Sequence, residues 1–391
     1  MPTYILDARA ATPHFPGIGR YVKNLAIHLP ALLAKEERLA LIVNAGAPPP
    51  WLDGPKQAAQ VNLLEAAASP FSLAQQWQIP RLIRAVQDQP AETLYHSPYY
   101  LMPYRPGAPT VLTVYDIIPL RYPQTVSRQA RALFSISTQL ALKTAARVAA
   151  ISEAARQDFL QTFHAPPVRL SPAQIAAIPL AAEAKFQPQP PAEVERVRQR
   201  YGLPERFALY VGINKPHKNL LRLVEAWQRA RPAGWRLLIG GAWDARYPQA
   251  RERAAQVESI HFLGTLPDAD LPALYSAAGL FIFPSLYEGF GLPVLEALAC
   301  GAPVLCSRAS SLPEVAGEAA LYFDPFQVED MAGVIQQAAG DAALRAALTG
   351  RGPEQAGRFS WRRASQATLE LYRQALGQTG ASIVFHPRKN G

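Results

Sequence analysis

Two series of short β-prone runs, spaced by longer helix-compatible segments, organise this 391-residue chain. The first series covers residues 4–6, 39–43, 61–64, 93–95, 111–115 and 148–151. The second covers 207–211, 236–239, 260–263, 280–283, 304–307 and 321–323. Strands that alternate with helices argue for parallel sheets, because a parallel neighbour is reached only by a crossover. The chain is too long for one comfortable core, so the rhythm reads as two doubly wound α/β domains. Between the series lies Lys185-Phe-Gln-Pro-Gln-Pro-Pro191, whose prolines forbid continuous helix or central strand, and then a charged helical stretch, 193–201. The expected organisation is a first domain over 1–185, a linker over 186–201 and a second domain over 202–360. A helix over 361–376 follows, and then a tail over 377–391 whose glycine, proline and basic residues favour poor order.

Composition narrows the partners. The formal net charge is +9, but the basic residues are scattered without interleaved aromatics, which argues against nucleic acid. Cys300 and Cys306 are the two cysteines, and their spacing offers no metal site. They read as reduced core thiols, which suits the cytoplasm. The chain opens on a strand-like run without a leader pattern, and no window reaches the span of a bilayer. Segment 128–147 places Arg128, Arg131, Lys143 and Arg147 beside Leu133, Phe134, Ile136, Leu140 and Leu142. It reads first as an amphipathic helix packed on a sheet, and second as a peripheral attachment to the inner membrane face.

The densest chemistry lies in Glu288-Gly-Phe-Gly-Leu-Pro-Val-Leu-Glu296. The apolar run 280–283 suits a buried parallel strand, with Glu288 just beyond its carboxyl end. Gly289 and Gly291 allow a tight bend, Pro293 fits a first helical turn, and Gly301 is a natural stop. The amides of Phe290, Gly291 and Leu292 would then open a helix whose unpaired N–H groups and dipole favour a phosphate. Glu296 is expected with its carboxylate free for two hydroxyls, such as those of a ribose, and Glu288 within reach of a sugar ring. The plain alternative is two solvated glutamates around an ordinary strand–turn–helix.

Other strand ends carry weaker signals. Gly17 and Gly19 lie in an expected loop between the first strand and a helical pattern through Leu25 and Leu29. Lys215 and Lys218 precede the helix pattern Leu220, Leu223, Val224, Trp227, where a diphosphate would meet both charge and dipole. Tyr115 offers a hydroxyl for a sugar contact, or is a packed aromatic. Asp116 orients Tyr115, binds a sugar hydroxyl or caps the next turn. His96 borders an acceptor site or is hydrogen-bonded structure. Ser152 reads as a helix cap.

The Glu288-to-Glu296 stretch resembles the Glu-x7-Glu signature of the retaining glycosyltransferases of family four. Phe262-Leu-Gly-Thr-Leu-Pro267, Leu274-Tyr-Ser-Ala-Ala278, Ala299-Cys-Gly-Ala-Pro-Val304 and Ser311-Leu-Pro-Glu-Val315 are similar to that family in the expected order. The resemblance is strong over the second half and fainter before it. It implies the glycosyltransferase B architecture, two Rossmann-like domains facing a cleft, with the 361–376 helix crossing back to the first. It also implies hexose transfer from a nucleotide diphosphate sugar to an acceptor hydroxyl with retention, and neither cofactor nor metal. By the same resemblance Gly17 and Gly19 line the donor site and Gly264, Thr265 and Leu266 hold the base. Lys218 meets the diphosphate, and Tyr115 stands where many members have histidine. The arginine usual in the Lys218 loop is absent, and Lys215 is the candidate second charge, although a point charge lacks an arginine's bidentate grip.

Residues 115–123 and the Ser311 run look like bacterial mannosyltransferases of polysaccharide assembly. GDP-mannose is therefore the favoured donor and a UDP-sugar the alternative, with a glycan, lipid-linked or small-molecule acceptor. Tyr115 and the missing arginine keep a non-catalytic sugar-nucleotide-binding partner in view, and the fold alone also admits a nucleotide-sugar epimerase.

Overall fold

The computed structural model describes residues 1–12, 16–55, 58–87 and 89–378. The chain divides into two compact units, Met1–Leu180 together with the chain from Ser360, and Ala181–Phe359.

The first unit holds a parallel sheet in the order β3-β2-β1-β4-β5-β6-β7. Its strands are β1 Thr3–Asp7, β2 Arg38–Asn44, β3 Val61–Ala66, β4 Thr93–Ser97, β5 Thr110–Val114, β6 Arg147–Ala150 and β7 Ile175–Ala177. The central strands β1, β4 and β5 are buried at every position, as a sheet covered on both faces requires. β7 was not expected from the sequence. It is three residues of Ile-Ala-Ala at the sheet edge, too short and alanine-rich to carry a β signal. The stretch expected as one helix over 128–147 is helical only over Arg128–Thr144, and Arg147 opens β6.

Helix Trp361–Ala375 belongs to this unit. Ser360 caps it through the Arg363 amide, and Arg373 forks onto both oxygens of Glu37 at 2.9 and 2.8 Å. The Tyr4 hydroxyl donates to the same carboxylate at 2.7 Å. Burial pushes Glu37 up, but these bonds and the Ala34 amide outweigh it and hold the carboxyl below its ordinary value. Of the tail expected over 377–391, residues 379–391 lie outside the described residues.

The second unit carries the order β10-β9-β8-β11-β12-β13, again all parallel. Its strands are β8 Phe207–Val211, β9 Arg236–Gly240, β10 Ile260–Gly264, β11 Leu280–Phe283, β12 Val304–Ser307 and β13 Ala320–Phe323. Leu237, Ile239, Leu280, Ile282 and Leu305 of this sheet pack with Leu223, Val224 and Trp227 of helix Leu220–Ala230 and with Met331 and Ile335 of helix Val328–Gly340. The residues expected as a linker, 186–201, belong to this unit. Helix Pro191–Tyr201 is anchored on Asp270, which accepts from Arg196 at 2.9 Å and from the Tyr201 hydroxyl at 2.6 Å. Asp270 is almost fully buried, so the prolines bend the chain into a docked helix instead of a free spacer.

In each sheet the strand order turns back between two neighbours, β1 and β4 in one, β8 and β11 in the other. The crossovers that follow such a pair run to opposite faces of the sheet and leave a crevice at the carboxyl ends, the usual ligand site of open α/β sheets.

Candidate functional site

In the second unit the loops from β8 and β11 meet. Lys218, at the end of the loop after β8, donates from Nζ to Oε1 of Glu288 at 2.7 Å, and its ammonium lies 5.3 Å from the Phe283 ring centroid. Both side chains are largely buried, 17% and 10% exposed. The loop is fixed from several sides. The Leu286 amide donates to the His217 carbonyl at 2.7 Å, and Asn219 Nδ2 donates to the carbonyls of Pro284 and Pro325. Asn219 has φ +59°, a left-handed conformation that asparagine tolerates, and it opens helix Leu220–Ala230. Asn214 ties the same loop to the one after β9, receiving the Asp244 amide and donating to the carbonyls of Asp244 and Tyr247.

Glu288 is held through its backbone. Ser310 and Ser311 donate to its carbonyl, at 2.5 and 3.0 Å, and Ser311 also reaches the Phe290 carbonyl at 2.7 Å. Gly291 follows with φ +101°, a left-handed conformation that favours glycine, and a Cβ there would stand 2.5 Å from Leu312 Cδ2, so that side chain would have to shift. Helix Leu292–Ala299 starts at this point with Pro293 in its first turn, as its sequence implies. The bend and the helix start therefore have the geometry of an anion site, with Lys218 beside it.

The sequence leads to an open Glu296 carboxylate, whereas the structure encloses it. It is 2% exposed and lies 3.4 Å from the Tyr275 hydroxyl. The helix buries Val294, Leu295, Ala297 and Leu298 as well, so this glutamate is enclosed with its apolar neighbours. Gly264 ends β10 with φ +71° and accepts the Gly241 amide, Thr265 is exposed, and Leu266 packs against Gly240. Lys215 is not joined to Glu288. It lines a cavity of about 520 Å³ with Asn219, Arg222 and Tyr247. Burial, reinforced by Lys218 and Lys215, holds His217 down at about 3, so its ring is neutral beside the two lysines.

The first unit places its candidates differently. Gly17 and Gly19 lie inside helix Pro16–His28, not in a loop ahead of it, because Pro16 already opens the helix. A Cβ on Gly17 would meet nothing within 4 Å. His96, expected at an acceptor site or in the structure, is structural. It is fully buried in β4, with Nδ1 2.6 Å from the Tyr372 hydroxyl and Nε2 2.8 Å from Thr113 Oγ1. Burial lowers it to about 3, so the neutral ring donates one of these bonds and accepts the other. Asp116 accepts the Ile118 amide at 2.9 Å, serving the turn into helix Ile118–Arg121. Tyr115 sits just beyond β5 and meets Tyr21 edge-on at 6.0 Å. Its buried hydroxyl has no partner among the described residues. Burial pushes this phenol well up, so it keeps its proton as a donor. Ser152 caps helix Glu153–Phe163 through the Ala155 amide.

Sequence reasoning missed Ser310, Ser311 and the role of Asn219. Ser311 showed only as the first residue of a family-like stretch and Asn219 only as the residue before a helix pattern, and a serine that grips a backbone carbonyl has no periodicity to reveal it. Cys300 and Cys306 are buried thiols, the former raised to about 12 by burial and then by Glu296.

Two parallel α/β units, one with its anion-favouring helix start and buried acid–lysine pair at a switch point, define the class of glycosyltransferase B folds. The solved structures agree: sucrose-phosphate synthase from Thermosynechococcus elongatus superposes with a TM-score of 0.70 at 23% identity over 96% of this chain and 100% of that one. Anabaena HepE, solved with UDP-glucose, gives 0.71 at 17% identity over 95% and 99%. Residues 193–355 match the family model described as glycosyl transferases group 1. An O-antigen chain mannosyltransferase B of Escherichia coli is 36% identical over 290 residues, 72% of this chain and 74% of that protein. The chain belongs to the group 1 glycosyltransferases.

Proposed function

We propose that this chain transfers a hexose, mannose by preference, from a nucleoside diphosphate sugar to an acceptor hydroxyl, retaining the anomeric configuration and using no metal. The observation that carries the reading is the Lys218–Glu288 pair at the β8/β11 switch point, beside a helix start that favours phosphate. Lys218 and the amides of Phe290, Gly291 and Leu292 stabilise the departing diphosphate. Glu288 takes hydroxyls of the transferred sugar, Glu296 those of the ribose, and Gly264, Thr265 and Leu266 the base. Tyr115 donates to the sugar the hydroxyl that has no partner among the described residues, and Gly17 permits close approach.

The bond from the anomeric carbon to the diphosphate oxygen breaks, and the acceptor oxygen bonds to that carbon on the same face. The acceptor's proton passes to the leaving phosphate. No step requires a carboxylate nucleophile. The O-antigen chain mannosyltransferase relative supports mannose as the sugar and a growing glycan as the acceptor. GDP-mannose is the proposed donor, a lipid-linked acceptor is the alternative, and the HepE structure keeps UDP-glucose as the second donor. The reaction belongs to the cytoplasm, with peripheral placement at the inner membrane face.

Incubating the protein with GDP-mannose or UDP-glucose and a mannose-terminated oligosaccharide, with the product read by NMR, tests this. An α-linked product from an α-linked donor supports it. Donor conversion without acceptor would indicate an epimerase, and tight binding without turnover a non-catalytic partner.

A further inference from the structure

Six large apolar side chains of the first unit stand 40–79% exposed: Phe71, Leu73 and Trp77 after β3, and Leu133, Ile136 and Leu140 on helix Arg128–Thr144. A chain of aromatic contacts links the two sets. Phe71 lies 6.3 Å from Tyr99, Tyr99 4.3 Å from Tyr100, and Tyr100 5.0 Å from Phe134, which anchors that helix from its buried side. Gln76, next to Trp77, donates to the Met102 carbonyl and accepts the Tyr104 amide. Thr144, at the helix end, donates to the Tyr104 carbonyl. The segment between Tyr99 and Tyr104 thus joins the two apolar sets.

The loop that displays Phe71 and Leu73 is fixed from beneath. The fully buried Arg9 donates to the Ala68 carbonyl at 2.7 Å, Gln75 to the Pro70 carbonyl at 2.6 Å, and Gln78 accepts the Ala68 amide. A backbone held this firmly keeps its apolar tips in water, which is unfavourable unless something covers them. The surrounding charge says what does. Helix Arg128–Thr144 exposes Arg128, Arg131 and Lys143, and helix Gln75–Ala85 exposes Arg81 and Arg84. Neither helix contains an aspartate or glutamate. Among the described residues none of these five cations makes an ion pair. Basic groups rimming exposed leucine, isoleucine and tryptophan, with no acid among them, match an anionic headgroup layer over acyl chains.

We propose that this face docks on an anionic lipid bilayer, with the six apolar side chains at the acyl boundary and the arginines and lysine against the headgroups. This gives the peripheral placement its surface, and it is testable without donor or acceptor, so its failure would leave the transfer reading standing.

The test is cosedimentation of the full chain with vesicles of phosphatidylcholine alone or mixed equally with phosphatidylglycerol. Binding is expected to the mixed vesicles, weakened by salt, and reduced about tenfold or more in Leu73→Glu with Ile136→Glu, since charge at the acyl boundary is costly. The double variant should keep its melting temperature. If it does not, quenching of tryptophan emission by brominated phosphatidylglycerol vesicles, compared between the wild type and Trp77→Phe, supports the proposal when quenching depends on Trp77. It overturns it when it does not. Absence of binding to the mixed vesicles, or equal binding by a folded double variant, overturns the proposal. So does a dimer that the double variant dissolves in the absence of vesicle binding, which would make a second copy of the chain the occupant.

Discussion

Lys218 and Glu288, seventy positions apart, meet at 2.7 Å where the loops after β8 and β11 come together. A charged pair this enclosed stands only where each partner compensates the other, and an arriving diphosphate offers Lys218 a stronger one.

Lys218→Ala should therefore weaken nucleoside diphosphate binding by about 10- to 100-fold, the range expected for a charged hydrogen bond. Glu288→Gln should spare nucleotide binding while lowering turnover. Calorimetric titration of both variants, set against their turnover, separates the roles. A nucleotide affinity unchanged in Lys218→Ala would remove the lysine from the donor site.

Tyr115→Phe removes a buried hydroxyl that has no partner among the described residues. Its thermal stability should stay level or rise slightly, because a buried unsatisfied hydroxyl costs about 1–3 kcal/mol. Transfer should fall about tenfold or more with nucleotide affinity intact, if the hydroxyl meets the sugar. Equal turnover in the variant would make Tyr115 a packing residue.

Glu296 is buried in helix Leu292–Ala299, 3.4 Å from the Tyr275 hydroxyl. If ribose hydroxyls complete its environment, the wild type should prefer GDP to 2′-deoxy-GDP by about tenfold, one charged hydrogen bond. In Glu296→Ala that preference should vanish. Competition binding with the two nucleotides reads the outcome, and a preference that survives in the variant counts against the assignment.

His96 in the first unit and His217 in the second are both held down at about 3, chiefly by burial. Unfolded histidine titrates near its ordinary value of about 6.5, so between these values the unfolded chain binds the extra proton. Stability is complete above that ordinary value and falls as pH drops toward the folded one, with a slope approaching about 1.4 kcal/mol per pH unit for each histidine. Urea unfolding between pH 4.5 and 6.5, a window lying within about two units of the unfolded value, should show this slope, and His96→Gln should flatten it. An unchanged slope in that variant would mean that His96 is not buried neutral.

How much of this was legible follows from what each residue depends on. The central strands are buried on both faces and announce themselves as apolar runs, and Gly291 with Pro293 marks the helix start at Leu292. The edge strand β7 had no such run. Lys218 and Glu288 were each visible in the sequence, but their contact depends on strand order, which periodicity does not encode. Gly17 and Gly19 read as a loop because proline followed by glycines suits a turn as well as the first turn of a helix. His96 and Asp116 carried polar side chains at strand ends, where a core hydrogen bond, a turn and a substrate contact all look alike in sequence.

The central claim is that the second unit holds a nucleoside diphosphate sugar through Lys218 and the helix start at Leu292. The most direct measurement is the melting temperature of the protein with GDP, GDP-mannose, UDP and UDP-glucose, since a ligand that prefers the native state must raise it. A rise with the guanosine pair, lost in Lys218→Ala, is the expected result. No rise with any of the four nucleotides would contradict the account.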